Sequence, residues 1–385
     1  MAIGPGDTAA LAADGLALVD RLTTDEGWPL ASAAPGADEP LGRYACLFGR
    51  DSLIASLQVR AARPALAEAT LRVLAECQGT RYDEATREEP GRILHEDRPE
   101  ATDFHREHGW AVRPDGGLRY YGTIDATPLF LVVAAEVGFD GPAVTAARAW
   151  LDETLAGDDL GLLRYVPHYP GGLPDQGWRD GGGPFEGSGI AHPDGRRPDP
   201  PVAVASAQAF GYAALRTYRP DEAEALADRV DALFFDHGAG WPALALEGPD
   251  GRAVQTLASE IGMLLWSGVL RPSRVAGAVD GVRALMSGSG LWTISPDHPA
   301  FRPDAYHLGL VWPFENWFAW RGLLAAGEAD LAERLRVDVL TAVRGFGGMP
   351  ECYAVEAAGA PPRHTPMANR QQLWTGSSVW SMASP

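Results

Sequence analysis

The sequence predicts an all-α protein in which six helix hairpins close into a toroid, with the long loops gathered on one end. Three observations lead to this fold class. Apolar residues recur at helical spacing in about twelve segments. Several of the second helices of the pairs have a proline near their start, and short connections alternate with long ones that are rich in glycine, proline and aspartate. A ring of hairpins explains this alternation better than two separate domains do.

The predicted helices follow one another along almost the whole chain. The first covers residues 8–22, where Leu11, Leu18 and Leu22 fall on one side. A proline in the first turn of a helix is favourable, because the N–H that proline lacks would have no hydrogen-bond partner within the helix at that position. Such prolines are Pro64, Pro142, Pro220 and Pro272. The remaining predicted helices cover residues 52–63, 64–77, 126–138, 142–155, 202–218, 220–235, 253–269, 272–286, 310–326, 329–344 and 371–382.

Long stretches without helical periodicity separate the hairpins. Structureless segments of this length inside a compact chain are usually functional, so we expect them to form an active-site cleft. No charged linker or close repeat divides the chain, and we expect one domain over residues 1–385 with no N-terminal β-domain. The stretches cover residues 78–122, 157–201, 236–251, 287–309 and 345–370.

The charge of the chain excludes several classes of partner. Its 385 residues carry a formal net charge of −19, because 51 acidic residues outnumber 32 basic ones. This charge repels phosphate backbones and anionic lipids, so we expect no nucleic acid and no membrane as partner, and a neutral substrate. Every basic residue is arginine. The absence of lysine excludes Schiff-base catalysis and a phosphate-binding loop of the P-loop type.

The cysteines and the N-terminus predict a cytoplasmic location. Cys46, Cys77 and Cys352 are scattered singly, which is typical of reduced thiols and not of a disulfide framework or a zinc site. The first residues lack a basic and then apolar leader, and no segment approaches the roughly 20 apolar residues that span a bilayer. The oligomeric state stays open, and a homo-oligomer is one alternative.

No metal or cofactor is expected. Asp103, His105 and His108 lie close together in the sequence but lack the spacing of metal ligands. Asp97, Asp103 and Asp115 do not follow the calcium loop of an EF-hand, although a structural calcium ion stays open.

Aromatic side chains are concentrated in the long loops. Sugar rings stack on aromatic faces while their hydroxyls bind carboxylates and guanidinium groups, so this mixture is typical of a carbohydrate site. The alternative for each ring is that it anchors the core. The aromatic residues of these loops include Trp110, Tyr120, Tyr121, Trp178, Trp241, Trp292, Tyr306, Trp312 and Tyr353.

Asp180 and Glu351 are the candidate catalytic carboxyls. Asp180 follows Trp178 and Arg179, and a carboxyl held against an aromatic ring loses solvation, which favours the protonated form that a general acid needs. The alternative is an Asp-Gly turn. Glu351 lies in a loop after a helix, where it would activate water as a general base, or else be an exposed solvating residue.

Other polar residues are candidates for binding sugar hydroxyls. Arg50 and Asp51 precede a helix, so Asp51 either caps the helix or binds substrate together with Arg50. His95 and Glu96 reach substrate from the first long loop, or belong to a solvated segment. His307 binds a hydroxyl, or is a histidine with internal partners at a helix start.

Six short motifs lie in order between residue 42 and the C-terminus: FGRDS (48–52), EEPGRILHE (88–96), YYGTIDATP (120–128), QGWRD (176–180), AYHLGLVWP (305–313) and MPE (349–351). Together they resemble the motifs of glycogen-debranching amylo-alpha-1,6-glucosidase catalytic domains, which are related to trehalase, glucoamylase and mannosylglycerate hydrolase. The resemblance implies an (α/α)6 barrel and an inverting glycosidase, with Asp180 as the acid and Glu351 as the base.

The resemblance also implies a set of substrate-binding residues. It places them around the sugar nearest the scissile bond, and two further loop aromatics, Trp292 and Tyr306, are additional candidates. The substrate-binding set comprises Arg50, Asp51, Tyr121, Asp125, Gln176, Trp178, His307 and Trp312.

Two departures from the family bear on the substrate. Helix one begins within the first ten residues, where debranching enzymes carry a β-rich domain, and three glycines, Gly181–Gly183, follow the predicted acid. These departures favour a small carbohydrate or glycoside over glycogen.

Three alternative functions stay open. An epimerase or isomerase on the same toroid would use His307 together with His95 or His364 as acid and base. A sugar-binding protein would have kept the barrel and lost turnover. A glycoside phosphorylase would need a basic phosphate pocket in place of the base, and Glu351 argues against it.

Overall fold

The computed structural model describes residues 3–180, 189–235 and 238–384. In these ranges the chain forms thirteen α-helices and six short β-strands. The helices are α1 (Pro5–Leu22), α2 (Gly49–Val59), α3 (Pro64–Glu76), α4 (Asp103–Glu107), α5 (Ala126–Val137), α6 (Pro142–Ala156), α7 (Ala205–Leu215), α8 (Pro220–Leu233), α9 (Ile261–Ser267), α10 (Pro272–Leu285), α11 (Pro313–Ala325), α12 (Ala329–Phe346) and α13 (Leu373–Ala383). The strands are β1 (Leu47–Phe48), β2 (Glu96–Arg98), β3 (Leu118–Tyr120), β4 (Val202–Val204), β5 (Ala245–Glu247) and β6 (Arg252–Val254).

Six helices form a closed inner ring. Each packs against the next in the order α2, α5, α7, α9, α11 and α13, and α13 returns to α2. The outer helices α3, α6, α8, α10 and α12 each pack on the inner helix that precedes them in the chain, and α1 packs on α13. The predicted six-hairpin toroid is therefore confirmed, and the ring closes through contacts made within this chain.

Burial separates the two rings. All residues from Ala126 to Ala134 of the inner helix α5 are buried, because this helix is covered on every side. The outer helix α3 buries only one stripe, which comprises Leu66, Ala67, Thr70, Leu71 and Leu74. The prolines expected at the start of α3, α6, α8 and α10 lie in the first turn of these helices.

One close approach in the inner ring depends on glycine. A Cβ atom on Gly262 of α9 would lie 2.7 Å from Cα of Ala319 in α11, so the two backbones pack directly against each other. The residues that follow Glu260 on α9 are therefore held tightly against α11, which begins beside Trp312.

The strands are the main difference from the sequence expectation. β1, β2 and β3 form one antiparallel sheet, in which Glu96 pairs with both Phe48 and Tyr120. β4, β5 and β6 form another, so residues 202–204 and 253–254, which were predicted as helix, lie in strands. Residues 205–215 and 261–267 alone are helical in those two predicted segments. These short segments pair with strands from other parts of the chain, and this pairing outweighs their local helical periodicity.

Among the described residues, no helix has both the length and the apolar character needed to cross a lipid bilayer. Cys46, Cys77 and Cys352 are buried and are not joined in disulfides.

Candidate active site

Arg50 joins two carboxylates that come from different parts of the ring. Arg50 lies in the first turn of α2, and Asp125 is the residue that precedes α5. Nη1 of Arg50 donates to Oδ2 of Asp125 at 3.2 Å. Its Nη2 lies 2.5 Å from Oδ2 of Asp180. Burial alone lowers the pKa of Arg50, but the charges of Asp125, Asp180 and Asp51 raise it overall, so the guanidinium is permanently charged.

Asp180 therefore pairs with a guanidinium and not with the indole that the sequence suggested. The indole N–H of Trp178 donates instead to Glu260 at 2.8 Å. The side chain of Asp180 is 22% exposed, whereas Arg50 and Asp125 are buried. The carboxylate of Asp180 thus lies at the edge of the buried ion-pair network.

His95 and Asp51 lie beside this pair. Nε2 of His95 is 3.9 Å from Oδ2 of Asp180, and its ring packs edge-on against Phe48 and Tyr120. Burial lowers the pKa of His95, which favours the neutral ring. Asp51 accepts a hydrogen bond from Nε2 of Gln372 at 3.4 Å. Burial raises the pKa of Asp51 to about 7, against the opposing charge of Arg50.

Glu351 is held by two donors. The Tyr306 hydroxyl donates to Oε1, and the backbone N–H of Asn369 donates to Oε2 at 2.9 Å. The residue is 1% exposed. Burial raises the pKa of Glu351 to about 8, although both hydrogen bonds favour the charged form. The raised pKa places the change between the protonated and the ionised form of Glu351 near neutral pH.

Tyr44 lies next to the tyrosine that binds Glu351. Its hydroxyl lies 3.2 Å from that of Tyr306, which in turn bonds to Glu351. Desolvation, followed by the negative charges of Glu351 and Asp180, raises the pKa of Tyr44. Sequence reasoning missed Tyr44, since it precedes the first recognised motif and nothing in its local pattern distinguishes it.

An aromatic cluster surrounds His307. The ring stacks on Trp312 with 5.5 Å between centroids and meets Trp178 edge-on at 5.3 Å. Tyr306 packs on Trp312 at 4.7 Å, and the indole N–H of Trp312 donates to the Tyr306 carbonyl. The predicted residues Trp178, His307 and Trp312 are thus brought together behind Tyr306. Their burial is consistent with a packed wall as well as with binding.

Other predicted residues have structural partners. The Tyr121 hydroxyl donates to the Cys77 carbonyl at 2.7 Å, and Nε2 of Gln176 donates to the Val166 carbonyl at 2.8 Å. The indole N–H of Trp292 donates to the Val355 carbonyl. These contacts show where the polar atoms of the three side chains point, and none of them reaches Asp180 or Glu351.

Glu96 lies in β2 and not in a solvated loop. Its carboxylate pairs with Arg98, and Oε1 lies 3.6 Å from Nε2 of His105. Burial would raise the pKa of Glu96, but the charge of Arg98 and the hydrogen bond from His105 hold it well below its usual range.

A separate cavity of about 730 Å³ lies between α12 and residues 361–364. Its lining includes Asp338, Phe346 and His364, and contains neither Asp180 nor Glu351. The glycines Gly181–Gly183, which were expected to reshape the loop after the acid, lie outside the described residues. In the ranges that are described, no three histidine, cysteine, aspartate or glutamate side chains are grouped as a metal site.

Comparison with solved structures gives the fold. A GH63 mannosylglycerate hydrolase from Thermus thermophilus, in complex with Tris and D-glycerate, matches with a TM-score of 0.65 and 16% identity over 97% of this chain and 99% of that chain. Neutral trehalase from Saccharomyces cerevisiae matches with a TM-score of 0.57 and 13% identity over 91% of this chain and 72% of that chain. The chain has the fold of the six-hairpin glycosidases.

The family comparison adds a chemical class to this six-hairpin glycosidase fold. Residues 203–375 match the model of the mannosylglycerate hydrolase MGH1-like glycoside hydrolase domain. Glu351 lies inside the matched range and Asp180 lies before it. Among proteins of curated function, none is significantly similar in sequence. The predicted resemblance to this group of glycosidases is confirmed by this match and by the fold.

Proposed function

We propose that this protein is an inverting glycoside hydrolase that acts on an α-linked glucoside or a related small sugar. The observation that carries the proposal is that Asp180 and Glu351 belong to one polar network. Asp180 contacts Arg50, and Glu351 is connected to the neighbouring Asp51 through hydrogen bonds of Asn369 and Gln372. Inversion needs two carboxyls on opposite sides of the scissile bond, roughly 6.5–9.5 Å apart.

In the proposed reaction, Asp180 donates its proton to the glycosidic oxygen as the bond from this oxygen to the anomeric carbon breaks. Glu351 accepts a proton from a water molecule, whose oxygen forms the new bond to the anomeric carbon from the other face. The two carboxyls then exchange protons with solvent before the next turnover. Asp180 is the more exposed of the two, as expected for a group that meets the leaving sugar or aglycone.

The residues around the two carboxyls are proposed to bind the substrate. Asp51, Asp125 and His95 lie around Arg50 and Asp180, where they would accept or donate hydrogen bonds to sugar hydroxyls. Tyr44 and Tyr306 are partly exposed and would contact the ring near the attacking water. Substrate hydroxyls that approach Arg50 would loosen its contact with Asp180 and so favour protonation of the acid.

A small substrate is favoured over a polymer. One similar structure is a mannosylglycerate hydrolase solved with glucose, and another was solved with D-glycerate, which supports a hexose joined to a small partner. An α-1,6-linked glucose, as in the debranching enzymes that the motifs resemble, is included in this class. We further propose that the reaction takes place in the cytoplasm, in keeping with three buried, free cysteines.

The test is proton NMR of the purified protein with isomaltose, maltose, trehalose, glucosylglycerate and mannosylglycerate. The proposal expects early release of the β-anomer from one of these α-linked donors, and its loss in Asp180→Asn and Glu351→Gln. Early release of the α-anomer would contradict inversion. If all five stay intact, or if glycogen limit dextrin is cleaved faster than all of them, the proposed substrate class is wrong. Conversion of a free sugar that depends on His307 would favour the epimerase alternative.

A further inference from the structure

Arg179 is a buried cation that the proposed chemistry does not use directly. It lies between Trp178 and Asp180 and is 2% exposed. Its Nε donates to Oε1 of Glu260, and its Nη2 donates to Oε2 of the same carboxylate at 2.9 Å. This is a two-pronged pair, which fixes the direction of a guanidinium far better than a single contact does.

The remaining donors of Arg179 reach a different part of the chain. Nη2 donates to the carbonyl of Thr293 at 2.6 Å, and Nη1 donates to the carbonyl of His307. Its Nη2 also lies 3.3 Å from Oγ of Ser259. The side chain therefore joins the segment that ends at Asp180 to the start of α9 and to the loop between α10 and α11.

These contacts connect the proposed acid to the partner of the proposed base. Asp180 follows Arg179 directly, and Trp178 also donates its indole N–H to Glu260. On the other side, His307 follows Tyr306, whose hydroxyl bonds to Glu351. One side chain thus spans the two segments on which the acid and the base-binding tyrosine lie.

We propose that Arg179, held by Glu260, is a positioning residue that sets the separation between the carboxyls of Asp180 and Glu351. This inference rests on the proposed function, because the separation matters only if both carboxyls act on one bond. In inverting hydrolysis the separation leaves room for the attacking water. A displacement of about 1 Å can lower the rate about 100-fold without affecting the binding of substrate to the same extent.

The central test is Arg179→Lys, with Arg164→Lys as the matched control. Lysine keeps the positive charge but cannot make the two-pronged contact with Glu260. The side chain of Arg164 is 6% exposed, and its partners, Asp158 and the Gly248 carbonyl, are not residues of the site. Arg179→Lys is expected to lower kcat about 100-fold, with KM changed less than about threefold and both limbs of the pH profile unmoved, while Arg164→Lys keeps the wild-type kcat.

Three results would overturn the inference. One is a wild-type kcat in Arg179→Lys, which would mean that charge alone suffices. Another is an equal loss of kcat in both variants that follows their loss of thermal stability. The last is a shift of the pH profile that accounts for the whole loss, since Arg179 would then act by charge and not by position. If Arg179→Lys does not fold, Glu260→Gln serves the same purpose and is expected to lower kcat with little effect on KM.

Crystal structures separate this inference from the proposed function. The distance between the carboxyls of Asp180 and Glu351 is measured in the wild type and in Arg179→Lys, with no substrate needed. A change of more than about 0.5 Å supports the positioning role, because catalytic groups need placement within that tolerance. An unchanged distance overturns it, whether or not the wild type hydrolyses any glycoside. Failure of the wild type in the NMR assay, with a changed distance in the variant, would contradict the proposed function alone.

Discussion

The guanidinium of Arg50 lies 2.5 Å from the carboxylate of Asp180, and the same guanidinium holds Asp125 at 3.2 Å. The proposed acid is thus attached to a buried cation that a second, fully buried carboxylate fixes in place. The arrangement links Asp180 to the stability of the fold, because the guanidinium that lies beside Asp180 also neutralises Asp125 in the interior.

Replacing Arg50 by methionine is expected to destabilise the protein. The variant leaves Asp125, which is 0% exposed, as a buried charge without its partner. Removing one member of a buried ion pair costs about 3–5 kcal/mol in free energy of unfolding. Urea denaturation measures the loss. Arg60→Met is the control, because Arg60 pairs with Glu136 at the surface, where the two side chains are 41% and 45% exposed, and its loss is expected to stay below about 1 kcal/mol. Equal losses of unfolding free energy in Arg50→Met and Arg60→Met would contradict the assignment of Arg50 as the partner that neutralises Asp125.

The activity is expected to rise with pH up to about pH 8. Burial raises the pKa of Glu351 to about 8, and the base must be deprotonated to accept a proton from water. As long as Asp180 stays protonated, kcat/KM should fall about tenfold per pH unit below this pKa, because only the enzyme with ionised Glu351 is active. The measurement is log kcat/KM between pH 5.5 and pH 9.5. A rate that falls between pH 5.5 and pH 8 would contradict Glu351 as the base.

Asp51→Asn is expected to move the ascending limb of the pH profile of kcat/KM to lower pH. Desolvation is the main reason for the raised pKa of Glu351, and the negative charge of Asp51 raises it further. Removing that charge makes Glu351 easier to ionise. The residual activity of the variant, although lower, is expected to reach half its maximum at a lower pH than in the wild type. An unmoved or upward-moved limb would contradict this coupling.

Tyr306→Phe is expected to move the same limb in the opposite direction. The hydroxyl of Tyr306 donates to Glu351 and stabilises its charged form, so its loss raises the pKa of Glu351 further. Tyr353→Phe is the matched control, since its hydroxyl donates to the Ser289 carbonyl at 2.7 Å and not to Glu351. The control is expected to lose stability without any change in the pH profile. A shift of equal size in both variants would show that the effect is general.

The sequence predicted the ring but not its sheets. The prolines that begin α3 and α8 mark helix starts by a local effect, and a local effect can be read from the chain. The strand Val202–Val204 is different, because it is fixed by pairing with Ala245–Glu247, more than 40 residues away. Its own residues suit a helix as well as a strand, so periodicity alone assigned it to the following helix.

The candidate site was predictable to a similar degree. Motifs named Asp180 and Glu351 as candidates, but they did not single out Tyr44 or Arg179, whose proposed roles depend on contacts with distant segments. Arg179 appeared in the sequence only as a neighbour of the acid. Its partner Glu260 lies in a predicted helix, where nothing distinguishes it from a surface residue. Such convergence is a property of the closed ring and is not encoded in any short motif.

Glu315 gives the last prediction, which concerns stability and pH. It lies in the first turn of α11, is 0% exposed, and has Nη2 of Arg179 at 4.0 Å. Burial, and then the charge of Glu260, raise the pKa of Glu315 well above its usual value of 4.5. The folded protein therefore keeps a proton that the unfolded chain loses above about pH 4.5. By linkage, this group lowers the free energy of unfolding as pH rises, by up to about 1.4 kcal/mol per pH unit until its folded pKa is reached.

Glu315→Gln removes this dependence, because an amide stays neutral in both states. The variant is expected to gain stability relative to the wild type between pH 5 and pH 7, by up to about 1.4 kcal/mol for each pH unit. Urea denaturation at both pH values measures the difference. Glu68→Gln is the control, since Glu68 is an exposed glutamate in a surface pair with Arg72 and should change stability by less than about 1 kcal/mol at either pH. A stability difference for Glu315→Gln that is the same at both pH values would mean that Glu315 is ionised in the folded protein, with Arg179 shared between two charged carboxylates.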